Sequence, residues 1–251
     1  MFYLSGMVHK TKGIVLRTVK YGETSIIVTM FTELFGLQSY IVNNVRIVSK
    51  KGGAKAIYFQ PGALLDLEAY HNDFKNLQRI KEYRWTYLYQ HLFSDVIKNS
   101  VALFMIELLS KCLKQPEANP ELFYFVEDAL HHLDEANEKV TANFPLFFAL
   151  HLAVFFGFRI SDEYAPDTAY LDLVEGSFVA DRPEHQHYVQ DHEAAAISYM
   201  LKIMQPHELE EVSLNQEGRR RLTQAVEEYY SLHIPEFGSL RTLPVLREVL
   251  S

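Results

Sequence analysis

Apolar and polar residues alternate from near the start of the chain. In the stretch KTKGIVLRTVKYGETSIIVTMFTELFG, Lys10 to Gly36, Ile14 and Leu16 alternate with Val15 and Arg17, the two-residue period of a half-buried strand. Ile26, Val28 and Met30 repeat it after a turn at Tyr21-Gly22-Glu23-Thr24, and Leu37 to Asn43 gives a third run beyond a turn at Gly36. These predict three strands of an antiparallel meander. Gly13 inside the first strand predicts a bulge or sharp coil, where a long strand bends across two layers of a small barrel. Residues 44–55, NVRIVSKKGGAK, read as a basic loop. AIYFQ (56–60) reads as a fourth strand, and ALLDLEAY, after the Pro61-Gly62 turn, as a fifth. Five strands in about 70 residues match a small OB-type barrel, although periodicity alone does not separate it from an SH3-like one.

From Asn76 the period changes. Tyr83, Trp85, Tyr87 and Tyr89 follow in close succession. Such a set can stack on bases, but more often it packs a barrel against the next domain. SVALFMIELLSKCLK (100–114) predicts a buried helix. Asn119 offers an N-cap with Pro120 at the first helical position, for a helix to about Ala136. Thr141 or Asn143 starts another, with Pro145 in its first turn and Gly157 as its stop. Residues 158–190 interrupt the helices, with a hairpin predicted around Glu175-Gly176. Asp191 caps a helix to about Met204, Asn215 caps one closed by Pro235, and Ser239 opens a last short one. The expected fold is α+β: an N-terminal five-stranded OB-type β-barrel over residues 1–80, then a mainly α-helical domain over 81–251 with a small hairpin insertion at about 158–190.

Composition narrows the function. The chain has 251 residues and a net charge of −8, unevenly spread. Residues 1–55 carry eight Lys or Arg against Glu23 and Glu33, a net of +6, whereas residues 86–251 carry 26 Asp or Glu against 12 Lys or Arg, a net of −14. A basic module joined to an acidic body suits a polyanion partner at one end only. The single cysteine, Cys112, excludes an intramolecular disulfide and fits a reducing cytosol. No apolar run approaches the roughly 20 residues of a membrane span, so no membrane partner is expected. His185, His187 and His192 lie near Asp181, Glu184 and Asp191. They meet no known metal spacing and read as an exposed polar loop. There is no GxxxxGK[ST], GxSxG or HExxH. The expectation is a non-enzymatic binding protein without cofactor or metal.

Several segments together resemble the RecO family of bacterial recombination mediators. The N-terminal stretch carries Gly13-Ile14-Val15-Leu16-Arg17, Tyr21-Gly22-Glu23, Ile27-Val28-Thr29, Phe31-Thr32 and the closing Gly36. Val45-Arg46 to Lys51 sits where the family has its basic loop, and Gln60-Pro61 with Leu64 to Tyr70 matches its barrel-closing strand. Asn119-Pro120-Glu121-Leu122-Phe123 is similar to the family's helix start. Arg220-Arg221-Leu222, Tyr229-Tyr230, Leu232-His233 and Ser239-Leu240 resemble its C-terminal helices. The resemblance implies DNA repair and homologous recombination in the RecF pathway. It implies binding of single- and double-stranded DNA, annealing of complementary strands, and indirect loading of RecA onto covered single strands. It also implies RecR and the C-terminal tail of the single-stranded-DNA-binding protein as partners, and a cytoplasmic, nucleoid-associated location. Many members carry a four-Cys zinc element where residues 158–190 lie. This chain has no Cys there, so zinc is not carried over.

The expected DNA-binding residues are Lys10, Lys12, Arg17, Arg46, Lys50, Lys51 and Lys55, which would track the backbone by charge. Tyr40, Tyr58 and Phe59 are stacking candidates whose facing the pattern leaves open. Arg220, Arg221 and Arg241 are the expected partner-binding residues. The alternative is an RNA-binding OB-fold protein acting in translation or RNA metabolism, which would favour structured RNA through its 2′-hydroxyls.

Overall fold

The computed structural model describes residues 7–46 and 55–250. Strands β1 (Met7–Tyr21), β2 (Ser25–Thr32), β3 (Gly36–Val42), β4 (Leu64–His71) and β5 (Leu77–Trp85) close a barrel in the order β1-β2-β3-β5-β4. β1 is long enough to serve both sides. Met7 to Ile14 pairs with β4, and Gly13 to Tyr21 pairs with β2. The other contacts are antiparallel except β3 with β5, which run parallel from Ser39↔Leu77 to Ile41↔Arg79. This is the OB arrangement.

β1 changes partners at Gly13 and Ile14, but its bulge is not at the glycine. The register shift falls between Val15 and Arg17, within the buried run Ile14-Val15-Leu16, where one extra residue interrupts the period of two. After the shift, Arg17, Val19 and Tyr21 are exposed. Gly13 serves packing instead: a Cβ there would lie 2.8 Å from Met30 Cε and 3.0 Å from Leu67 Cδ1 inside the barrel.

The strand count holds, but one member changes. AIYFQ belongs to a 3-10 turn, Lys55–Phe59. Its Ile57-Tyr58-Phe59 run is rich in residues that favour strands. Thr18 Oγ1 donates to the Phe59 carbonyl at 2.6 Å, fixing the turn against β1. The fifth strand is β5, where Gln78 and Ile80 point inward. Tyr83 and Trp85 pack on this turn: Tyr58 stacks on Trp85 at 4.1 Å, and Phe59 meets Tyr83 edge-on at 4.7 Å. They do not form a stacking platform.

The helices follow: α1 (Val96–Cys112), α2 (Pro120–Glu135) and α3 (Glu138–Phe155), then β6 (Tyr170–Asp172), β7 (Ser177–Val179) and β8 (Tyr188–Val189), then α4 (Asp191–Lys202), α5 (Gln216–His233) and α6 (Leu243–Val249). Asn119 Oδ1 accepts from Leu122 N at 3.0 Å and Asn215 Oδ1 from Gly218 N at 2.8 Å, as the capping pattern predicts. α3 starts earlier than expected, capped by Asn137, which places Pro145 in its interior. β6 and β7 form the predicted hairpin, and β8 adds a third strand on the other side of β6.

Packing divides the chain into two units, Met1–Tyr89 with Leu113–Leu130, and Gln90–Cys112 with His131–Ser251. Among the described residues no helix is long and apolar enough to cross a membrane.

Candidate nucleic-acid interface

The two sides of the barrel differ in charge. On the β4 side the cations are neutralised. Lys10 and Lys81 both reach Glu68, at 3.6 and 2.9 Å, and Arg84 pairs with Asp66 at 3.0 Å. The Lys81 hydrogen bond holds the Glu68 carboxyl below its usual range. Lys12 points to Glu127 of α2 at 2.9 Å. Burial works against the Lys12 charge, but the hydrogen bond and field of Glu127 outweigh it and raise its pKa. The exposed pairs on Glu68 and Asp66 add little stability, but all of these pairs leave little positive field for a polyanion.

The other side is an open sheet face. Its pairings run Arg17↔Thr29↔Ser39↔Leu77 and Val19↔Ile27↔Ile41↔Arg79 across β1, β2, β3 and β5. Val19 and Leu77 are exposed, while Ile27 and Ile41 are half-buried. An apolar strip with an arginine at each end results. Arg17, Lys20, Lys75 and Arg79 are exposed or on loops and have no ion-pair partner among the described residues. Arg46 is held at the β1–β2 turn: its backbone N–H donates to the Thr24 carbonyl at 3.1 Å and its guanidinium to Gly22 at 3.0 Å. Next to the strip, a groove of 560 Å³ runs between Thr29, Gln38 and Ser39 and the β4–β5 loop at Asn72, Lys75 and Asn76. OB barrels take oligonucleotides on the β2–β3 face between these two loops.

Of the expected contacts, Arg17 and Arg46 fall on this side, and Lys10 and Lys12 on the neutralised one. Lys50 and Lys51 lie outside the described residues, and Lys55 opens the 3-10 turn. Tyr40 and Phe59 are each 1 % exposed, so neither ring can meet a base. Burial pushes the Tyr40 hydroxyl up to about 12. Sequence reasoning passed over Lys75, Arg79 and Phe74. The signal was there in His71-Asn72-Asp73-Phe74-Lys75, turn-forming residues around an aromatic with no apolar partner nearby in sequence.

In the helical unit, Arg221 is bound to Glu193 and lies 3.6 Å from Glu217. The Arg241 backbone N–H donates to Glu107 at 2.9 Å. Arg220 is exposed and borders a cavity of 360 Å³ between α5 and α6, with Arg219, Arg247, Pro244 and Leu246 around it. The Nε atoms of Arg219 and Arg247 are buried with no hydrogen-bond partner, and burial lowers the Arg219 pKa.

The residues of the 158–190 segment do not fit a thiolate zinc site. Cys112 is buried in α1, and among the described residues no group of three His, Cys, Asp or Glu side chains is placed to hold a metal ion. The small sheet is instead held by buried Leu171, Leu173 and Phe178, by His185 on Asp172 at 3.2 Å and by His187 on Glu228.

The family model for the N-terminal part of recombination protein O matches residues 7–89, and that for its C-terminal part matches 94–242. A protein of Bacteroides fragilis named DNA repair protein RecO is 35% identical over 246 residues, covering 97% of this chain and 99% of that one. Proteins of the same name from Phocaeicola vulgatus and Flavobacterium psychrophilum are 33% and 34% identical, covering 98% and 96% of this chain and 100% and 99% of theirs. With barrel, helical unit and both family models in register along one chain, this protein belongs to the RecO family of DNA repair proteins.

Proposed function

We propose that the chain acts in recombinational repair by binding single- and double-stranded DNA on the β1–β2–β3–β5 face of its barrel, annealing complementary strands, and helping RecA onto covered single strands. The observation that carries this reading is the contrast between the two barrel sides: one has its cations paired, the other leaves Arg17, Lys75 and Arg79 free of described partners around an apolar strip. Phosphates require unpaired cations, and bases require apolar surface. Arg46 adds to this charge, and Lys50, Lys51 and Lys55 are further cations of the same basic stretch of sequence. Lys10 lies at the edge of the track, and Lys12 serves it through the fold. No covalent step is invoked. RecR and the acidic tail of the single-stranded-DNA-binding protein are the protein partners, and the site of action is the cytoplasmic nucleoid. For the tail, the apolar cavity rimmed by Arg219, Arg220 and Arg247 has the chemistry a terminal carboxylate with apolar neighbours needs.

Annealing of complementary oligonucleotides, together with a salt titration of single-strand affinity, tests the DNA reading. Five phosphate contacts give a log–log slope near −3.5, at about −0.7 per contact. Replacing Arg46, Lys50 and Lys51 together by Glu lowers affinity by at least about ten-fold and leaves the fold intact. A folded triple variant that binds as the parent does removes this loop from the interface.

A further inference from the structure

Phe74 is 96 % exposed, more than any other large apolar residue described. It sits in the β4–β5 loop, and that loop is built rather than loose. Phe74 N–H donates to Asn72 Oδ1 at 2.9 Å, and Lys75 N–H to the Asn72 carbonyl at 3.0 Å. Behind the loop lies Gln78, 4 % exposed. Its Nε2 donates to the Asn72 and Lys75 carbonyls at 2.8 and 2.7 Å, and its Oε1 accepts from Asn72 N–H at 3.0 Å. The side-chain amide thus makes three bonds to the loop backbone. A turn fixed from behind in this way cannot fold its ring back into the core, and it holds the ring in water at a cost the fold does not recover.

The ring's surroundings say what would cover it. Lys75 follows it and lines the groove that carries Thr29, Gln38, Ser39 and Asn76. Arg79, two residues into β5, ends the apolar row of Val19, Ile27 and Ile41. Asp73, the acid before the ring, also lines this groove and is hydrogen-bonded to His71 at 2.9 Å. An exposed aromatic next to Lys75, at a groove where amide and hydroxyl groups are mixed with the apolar Leu34, Phe35 and Leu37, with Arg79 on the same sheet face, suits a nucleotide strand: base on the ring, phosphates on Lys75 and Arg79, base edges toward the amides.

We infer that Phe74 is a base-stacking residue that makes this face favour single strands over duplex. The inference rests on the DNA-binding reading above and goes beyond it. In a duplex both faces of each base are occupied by neighbours, so the ring has nothing to cover, whereas a single strand offers a free base face. The cations serve both forms, since each carries backbone phosphates.

Phe74→Ala separates these contributions, and the fully exposed side chain leaves the fold out of the comparison, which an unchanged melting curve verifies. Single-strand affinity falls about ten-fold, while affinity for a duplex of the same length stays within two-fold. Lys75→Glu with Arg79→Glu lowers both. An oligonucleotide with a central 2-aminopurine is quenched on binding to the parent and to Phe74→Trp, but not to Phe74→Ala. Equal loss of single-strand and duplex binding, or no loss of either, overturns the inference while leaving the DNA reading standing. If Phe74→Ala loses a protein partner and keeps its oligonucleotide affinity, the ring belongs to a protein interface and the inference is likewise overturned. A parent protein that binds neither form of DNA sinks the DNA reading itself, and this inference with it.

Discussion

Asp134 shows how one residue can hold a turn together. Its carboxylate is 1 % exposed and accepts the backbone N–H groups of Gln90, His91 and Leu92 at 2.9, 2.8 and 2.7 Å. The Lys98 ammonium, also buried, donates to the Asp134 carbonyl at 2.7 Å. Burial by itself would raise the Asp134 pKa, but the three N–H donors outweigh it and hold the carboxyl below its usual value. The ionised form is therefore favoured by folding. Its contribution is complete above the ordinary carboxylate pKa near 4, and is lost as pH falls through the lower folded value. Asp134→Ala strands three buried donors and costs about 3 kcal/mol at neutral pH. Urea unfolding of parent and variant at pH 7 and at pH 3 checks this: the gap in midpoint is wide at pH 7 and narrows at pH 3. A gap that stays constant with pH would mean the loss is of packing rather than of charge.

At the scale of elements, two glycines of the barrel make different demands. At Gly36 φ is +61°, and a Cβ would lie 2.0 Å from the Glu117 carbonyl oxygen, a backbone atom that cannot step aside. At Gly13 the nearest atoms are the ends of the Met30 and Leu67 side chains, which can rotate. Gly36→Ala thus loses more stability than Gly13→Ala: above about 2 kcal/mol against roughly 1 kcal/mol, read from denaturation midpoints. The reverse order would show that the close approach at Gly36 relaxes at little cost. The same contrast explains what was legible in the sequence. Asn119 and Asn215 caps were legible because the bond they make is local. β1 to β3 were legible because one face of each meets the core. AIYFQ was not, since a short run of β-branched and aromatic residues has strand propensity even where it forms a 3-10 turn. β5 was obscured because its later half alternates aromatics with charges while packing on that turn. At the candidate site, charge was visible in the sequence but pairing was not. Lys10 and Lys12 look as free as Arg17 until their partners Glu68 and Glu127, distant in sequence, are placed beside them.

Taken whole, the molecule is a basic barrel on an acidic chain, with −14 carried by residues 86–251. An acidic peptide tail approaching the helical unit meets repulsion everywhere except at a local concentration of cations. Arg219, Arg220 and Arg247, with Glu248 also in the lining, form such a place around the α5–α6 cavity. Arg221 is less available, since Glu193 and Glu217 already neutralise it. Arg219 and Arg247 also each keep a buried nitrogen without a partner. Pro244 and Leu246 supply the apolar wall. If the tail of the single-stranded-DNA-binding protein docks there, Arg220→Glu weakens a tail peptide by about ten-fold or more in calorimetry, because a rim cation becomes a like charge. Arg221→Glu and Arg241→Glu change it by less than about three-fold. Added salt weakens the parent's binding and has less effect on the Arg220 variant. Should all three variants bind as the parent does, the tail either sits on the barrel face, where an oligonucleotide would compete with it, or is not a ligand of this chain.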